Sequence, residues 1–334
     1  SGNLVNLFKQ VGSPAECENS RSVMLSGHLG KASHRHLRGP LVSTLIPAAT
    51  DGMLGGLKGG GTDIAGHLLR ALMHYAKGTG QSFATLFLDI KSAFYRLIRG
   101  LVVPQEIDDD FIATILVKLK IPPSAVHDLI HSLRRPALPQ CGATDHLTQV
   151  TADVLRNTHF KVKGCNSLAV SATGSRPGDP TADIVFDFAF NAVLCKIRGK
   201  FIEAQLCEFH SFDGSTLPRA EPSVELRKVA IHTDVTFFDD TRNIFIDADA
   251  ARLIARLKTA AIVDDCCIEA GLLPKCSPQK TAVLARFAGK NAKSTRVHVY
   301  NTLACKLPFV AGHRKELQLD FVQTYLDLGV CASS

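Results

Sequence analysis

Three carboxylates, Asp89, Asp239 and Asp240, have the side-chain type and the settings to hold metal ions in this 334-residue chain. The last two lie in HTDVTFFDDTRNIFI (His232 to Ile246), where Ile231, Thr233, Val235 and Phe237 recur at every second position and Ile244, Phe245 and Ile246 follow. That pattern predicts a strand, a tight turn and a second strand, with the acidic pair at the hairpin tip. Asp89 ends SFATLFLD, within a nearly continuous apolar run from Phe83 to Ile90 of the kind that marks a strand buried on both faces. Hard divalent cations take oxygen ligands from separate, rigid elements, and two Mg²⁺ ions about 3.5–4 Å apart can clamp the attacking and leaving oxygens of a phosphoryl transfer. An acidic turn standing alone reads as an ordinary solvated Asp turn. Asp89 and Asp239 are 150 positions apart, so spacing by itself does not bring them together.

The elements that must position these acids are legible in outline. MLGGLKGGG (Met53 to Gly61) lacks the G-x-x-x-x-G-K-[ST] order of a nucleotide-binding loop and reads as a flexible linker. A helix capped by Thr62 or Asp63 follows, with Ile64, Leu68, Leu72 and Tyr75 on one face. From Asp108 to Asn157 the pattern is helical, broken at KIPPS and RRPALPQCG, with Ile112, Ile115, Leu116 and Leu119 as its clearest apolar face. Asp108, Asp109 and Asp110 open that region, where carboxylates complement the helix dipole, and are not read as catalytic. GSRPGDPTADIVFDFAFNAVL predicts a turn from Gly174 to Pro180 and then a helix with Asp179 as N-cap and a stripe of Val185, Phe186, Ala189 and Val193. One more helix is expected from about Asp249 to Ala270; its acidic pair Asp264-Asp265 has no hairpin around it and is set aside.

Composition limits the classes. With 46% hydrophobic and 21% charged residues the chain is globular, long enough for two or three subdomains. No apolar run reaches the roughly 18 residues of a membrane helix, and SGNLVNLFKQ lacks the layout of a signal peptide. The ten cysteines show no C-x-x-C spacing, which favours free thiols over a zinc site. The expectation is an intracellular protein, nuclear or cytoplasmic, with no membrane partner. A start without Met and an end at CASS suggest a fragment of something larger. Net charge is +7, but from Pro274 to Lys315 there are nine Lys or Arg and no Asp or Glu, and Ser1 to Thr50 carries five cations against two Glu. Basic ends around an acid-bearing middle fit a bound polyanion; a basic solvated face fits as well. His28, His34 and His36, beside Arg35 and Arg38, read as part of that basic patch and not as a metal site.

Six segments then occur in the order of the motif series of reverse transcriptases, especially those of non-LTR (LINE-type) retroelements. SRSVMLSGHLGK (Ser20 to Lys31) resembles the fingers motif Y-R-P-I-x-L-L-x-x-x-G-K, FLDIKSAFYRLIR resembles D-[LI]-K-x-A-F of motif A, and GSRPGDP resembles G-x-R-Q-G-D-P of motif B. FFDD stands where motif C has [FY]-x-D-D, GLLPKCSPQKT resembles G-L-x-x-N-x-x-K-T of motif D, and YLDLG resembles Y-x-x-L-G of the primer grip. The chain departs from the pattern at Ser20 (usually Tyr), at Pro177 (usually Gln), and in motif D, which lacks its Asn and is about two residues longer.

The resemblance implies an α/β (α+β) fold: the fingers and palm of a polymerase right hand, with an antiparallel palm sheet and the thumb absent or truncated. It implies fingers at about 1–75, a palm at 76–290 with a helical insertion at about 101–170, and a primer-grip region at 291–334. The implied activity is RNA-directed DNA polymerisation: dNTP addition to a DNA primer on an RNA template with two Mg²⁺ ions, or Mn²⁺ in their place. Asp89 and Asp239 are implied as ligands of both metals and Asp240 as a supporting ligand. Lys280 is implied as proton donor to the leaving pyrophosphate or as a phosphate contact. Arg21 and Lys31 are implied at the triphosphate, Phe94 as an aromatic gate under the ribose, Gly178 and Asp179 beside the incoming nucleotide and template, and Tyr325, Leu328 and Gly329 at the primer grip. Thumb and endonuclease segments are expected outside this chain. An RNA-directed RNA polymerase, whose motif C usually reads G-D-D, and a non-catalytic nucleic-acid-binding remnant are the rival readings.

Overall fold

The computed structural model describes residues 2–10, 13, 19–156, 158–162, 167–206, 209–211, 229–231, 234–278, 280–327 and 330–333. Near the N-terminus lie β1 (Gly2–Phe8), β2 (Ser20–Ser26), α1 (His28–Leu45) and α2 (Thr62–Gly78). β3 (Ser82–Leu88) follows and leads into the short α3 (Ala93–Arg96). A helical stretch comprises α4 (Asp109–Leu119), α5 (Val126–Leu133), α6 (Ala137–Gln140) and α7 (Asp145–Leu155). Next come β4 (Thr158–Val162), β5 (Leu168–Ser171), α8 (Ala182–Glu203), and the strand pairs β6 (Phe209–Ser211) with β7 (Val229–Ile231) and β8 (Asp234–Phe237) with β9 (Asp240–Asp247). The remainder is α9 (Ala250–Leu257), α10 (Ala260–Glu269), β10 (Ala282–Arg286), α11 (Ala292–Val297), β11 (Lys306–Phe309), β12 (Leu317–Val322), β13 (Thr324–Asp327) and β14 (Val330–Ser333). The fold is α/β with mostly antiparallel sheets.

The central sheet has the order β11-β12-β10-β3-β9-β8, antiparallel throughout except between β10 and β12. β3 lies inside it, and all seven of its residues are buried because both faces are covered. Ala84, Leu86 and Leu88 join the main core with α1, α8, α9 and α10, while Phe83 and Phe87 meet Ala65 and Leu69 of α2 on the other face. This two-sided burial is why the sequence there runs nearly unbroken in apolar residues. α8, apolar on all sides, is a buried helix, and its one buried amide, Asn191, pins the end of α1: its Oδ1 accepts from Thr50 N–H at 3.0 Å and its Nδ2 donates to the Ala48 carbonyl at 2.9 Å. The helix expected over Asp249 to Ala270 is two, α9 and α10, interrupted at Lys258–Thr259. A single pattern hid the break because both helices pack the same core.

A second sheet, β2-β1-β4-β5, joins the N-terminal strands to the segment that precedes the 174–180 turn. Arg99 holds that junction. Its side chain is buried and donates to the carbonyls of Gly174 (2.9 Å), Leu155 (2.7 Å), Ser171 (2.7 Å) and Thr173 (3.2 Å), and to the hydroxyls of Thr158 (2.6 Å) and Ser171 (3.2 Å). Burial, with the nearby Arg176 charge adding, pushes its pKa down to about 10. The guanidinium is thus a staple satisfied by neutral oxygens. Arg99→Met should cost about 3 kcal/mol by leaving several buried acceptors unpaired. Denaturant unfolding measures it, and a loss below ~0.5 kcal/mol, the range of an ordinary surface change, rejects the staple.

Candidate active site

Asp89 leaves the C-terminal end of β3, and Leu88 pairs with Thr241 of β9, so Asp89 and Asp240 lie at the same edge of two neighbouring antiparallel strands. The position of Asp89 is fixed by its backbone: its N–H donates to Thr281 Oγ1 at 3.1 Å and its carbonyl accepts from Lys275 N–H at 3.0 Å. β8 and β9 form the expected hairpin, closed by the two residues Phe238 and Asp239 between the paired Phe237 and Asp240. Phe238 takes φ +55°, the left-handed region that a non-glycine residue enters only when its surroundings hold it there. Asp239 therefore occupies the turn and Asp240 the first position of the strand.

The charges of Asp240 and Asp89 both act on Asp239. The Asp239 carboxyl is pushed up to about 7, first by burial, then by the Asp240 charge, with Asp89 adding to the rise and Lys280 opposing it. Lys280 Nζ donates to Asp89 Oδ1 at 2.9 Å. Tyr325 stacks on Phe87 of β3 with ring centroids 4.0 Å apart and donates its hydroxyl to the Lys280 carbonyl. It thus joins the segment before β10 to the sheet. Leu328 and Gly329 lie outside the described residues.

The other sequence-selected residues fall into two groups. Phe94 packs beside the acidic turn, with ring centroids 4.9 Å from Phe186 and 6.2 Å from Phe238. The 174–180 turn sits against its backbone: the Phe94 carbonyl accepts from Ser175 N–H at 2.8 Å. Gly178, with φ +99°, lies so close to β2 that an added Cβ would be 2.6 Å from the Met24 carbonyl oxygen. Asp179 is buried; it accepts from Thr181 N–H and Oγ1 ahead of α8, and its other oxygen is 2.7 Å from His34 Nδ1. His34 is therefore partnered with an acid instead of facing outward in the basic patch expected for it. Arg21 is exposed on β2, close enough to Tyr95 to act on its hydroxyl, and Lys31 is half-buried in the first turn of α1.

Two further expectations need correction. The glycine-rich segment is not a loose linker where it meets β8: Met53 bridges to Thr236, Thr236 N–H donates to the Gly52 carbonyl at 2.8 Å, and Leu54 N–H donates to the Thr236 carbonyl at 2.8 Å. Gly55 lies where a Cβ would be 2.4 Å from Phe238 N, so the glycines let one backbone lie directly beneath the acidic turn. Gly55→Ala should shift that turn and lower activity about tenfold or more with a stability loss of ~1–3 kcal/mol. Gly39→Ala, inside α1 with nothing within 4 Å of its added methyl, should be neutral or stabilising. Equal activity for the two variants, measured side by side, rules out the buttress. The run of nine cations is also not one face. Lys280 pairs with Asp89, Arg314 with Asp264, and Lys290 lies 3.9 Å from Asp249 near the Ser82 end of β3, opposite Asp89 by the length of that strand.

Asp187 of α8 carries no sequence signal of its own, because it reads as one more position on an apolar helix. It is fully buried behind the acidic turn, and neither of its oxygens meets a hydrogen-bond donor among the described residues. Burial, then Asp183, with Asp239 adding, raises its pKa well above the usual carboxylate range, against the pull of Arg38. Glycine at 56 leaves room for it, since a Cβ there would be 2.8 Å from Asp187 Oδ2.

No family model matches the sequence, and no curated protein matches it. No helix of the described residues is long and apolar enough to cross a membrane. Among solved structures the chain is similar to apo telomerase from Candida tropicalis, truncated from its C-terminal domain, at 11% identity and a TM-score of 0.47. The match covers 100% of this chain and 55% of that one, so this chain spans about half the length of the telomerase chain.

Proposed function

We propose that this chain is the fingers and palm part of an RNA-directed DNA polymerase of the non-LTR retroelement type. The observation that carries the reading is the meeting of Asp89, Asp239 and Asp240 at one sheet edge, with Lys280 as the cation against them. Three carboxylates gathered at one edge, with Asp240 and Asp89 adding to the cost of ionising Asp239, fit divalent cations: Asp89 and Asp239 would hold both ions and Asp240 would support them. When bound, Mg²⁺ or Mn²⁺ supplies charge stabilisation at the α-phosphate and a more acidic primer 3′-hydroxyl.

The chain's own groups do the rest. Lys280, whose Nζ donates to Asp89 Oδ1, would act as proton donor to departing pyrophosphate. Arg21 offers a planar fork to phosphate oxygens, with Lys31 as a second cation on the fingers side. Phe94 presents a ring beside the acidic turn to the sugar. Gly178 and Asp179 hold the turn that would flank the incoming nucleotide, and Tyr325 ties a primer-grip segment to the sheet. RNA template, DNA primer and dNTPs are the implied partners.

Extension of a DNA primer on an RNA template, with dNTPs and NTPs offered in parallel in Mg²⁺, tests the reading. Extension by dNTPs is the expected result. Extension by NTPs alone assigns an RNA polymerase, and tight binding of the hybrid with no extension by either assigns a non-catalytic nucleic-acid-binding protein.

A further inference from the structure

A cavity of about 400 Å³ opens on the fingers side of the 174–180 turn, lined by Ser26, Gly27 and Gly30, by His34, and by Arg156 and Arg176. Of the residues given roles above, Asp179 alone lines it. Arg176 is the group that calls for a ligand. Its side chain is 9% exposed, its backbone is held at φ +64°, and its Nε and Nη2 have no hydrogen-bond acceptor. The nearest carboxylate oxygen, Asp179 Oδ2, is 3.7 Å away and is engaged by His34 at 2.7 Å, while Oδ1 takes both donors of Thr181. Ser26 adds a buried hydroxyl without a partner.

The charge balance has the same sign. Arg99 and Arg176 are two buried guanidinium groups whose charges oppose each other, and Asp179 is the buried carboxylate between the turn and α1. Arg156 and Asp153 form an exposed pair that cancels itself. The 18-residue helix α1 points its N-terminus into the same space, with no side-chain cap at Gly27 and no acid in its first turn. Its free N–H groups and dipole favour an anion there. A buried arginine fork, a hydroxyl and backbone N–H groups together suit a tetrahedral oxyanion with several acceptor oxygens.

We infer that this cavity binds a phosphate group, supplied by a nucleic-acid strand or by a nucleotide. The site is read from the cavity; only the source of the phosphate rests on the proposed polymerase function. In chelator, sodium phosphate should raise the melting temperature of the full chain in a concentration-dependent way relative to sodium chloride of equal ionic strength. Gly27→Asp places a carboxylate at the N-cap of α1, where the backbone is extended at φ −63° and nothing lies within 4 Å of an added Cβ; there it favours folding and competes for the site from within. That variant should keep or raise its melting temperature and lose phosphate affinity about tenfold or more. Arg176→Lys, which keeps the charge and loses the fork, should weaken phosphate in the same direction. A phosphate response absent from the wild type, or unchanged in both variants, overturns the site.

The source is read by displacing bound phosphate, followed by ³¹P line width, with a short single-stranded RNA or with a dNTP in chelator. Displacement by RNA assigns the strand and displacement by dNTP assigns the nucleotide; displacement by neither overturns both. Asp239→Asn should leave all of these responses intact. A protein that binds phosphate but extends no primer thus loses the polymerase reading alone, and an active polymerase indifferent to phosphate loses this inference alone.

Discussion

Asp239→Asn should abolish nucleotide addition and at the same time make the metal-free protein more stable above pH 7. Both effects have one origin, the burial of Asp239 beside other carboxylates at the turn. In the proposed polymerase the loss of a metal ligand and of its charge would be worth on the order of 10²–10³-fold or more in rate. The gain in stability follows from the Asp239 carboxyl titrating near 7 in the fold, where an unfolded aspartate titrates near 4. Below pH 4 both states carry the proton, and no stability is lost. Between about 4 and 7 the unfolded chain releases it and the folded chain keeps it, so stability falls as pH rises, and above 7 the full cost is present. Asparagine removes the titration, and the partly exposed turn makes the recovered stability ~1–2 kcal/mol instead of the full value of the shift. Melting temperatures in chelator should therefore diverge between wild type and variant from pH 5 to 8, the variant being higher. Mg²⁺ should close that gap by stabilising the wild type alone. Matching pH profiles, or a variant that still extends primers, would remove Asp239 from the site.

Phe94→Val should raise ribonucleotide relative to deoxyribonucleotide incorporation, on the order of 10–100-fold, the range a filled or opened pocket commands. Phe94 follows Asp89 through a tight turn with Ser92 in the left-handed region at φ +53°, and its ring is held between Phe186 of the buried helix and Phe238 of the acidic turn. In the proposed polymerase a flat ring fixed there by two others would leave no room for a 2′-hydroxyl, and selectivity would come from repulsion of the wrong sugar. Lost ring contacts should cost ~1–2 kcal/mol of stability as well, since the residue is half-buried. Tyr95 points another way, donating its hydroxyl to the Ser22 carbonyl of β2. Its change to Phe should leave sugar selectivity alone. An unchanged dNTP-to-NTP ratio in Phe94→Val, measured by direct competition, reduces Phe94 to a packing residue.

The sequence by itself determined the local parts of this protein. Alternation before Phe238 and the β-branched and aromatic run after Asp240 specified a hairpin with its acids at the tip, because one residue in two must face the core. The apolar run that ends at Asp89 specified a strand with both faces covered. What the tertiary structure decided is every relation between distant segments. Asp89 and Asp240 meet because β3 and β9 are neighbours in register, and Lys280 reaches them because Thr281 and Lys275 bind the backbone of Asp89; neither fact leaves a periodic trace. The glycine segment looked like a linker because absent side chains carry no pattern, yet that absence is what lets its backbone lie under Phe238. Arg99 and Asp187 are polar groups inside apolar stretches and Arg176 lies in a polar turn, and a sequence does not show which polar residue turns inward. Only the packing around each one decides whether its charge is stapled by carbonyls, as at Arg99, or left facing a cavity, as at Arg176.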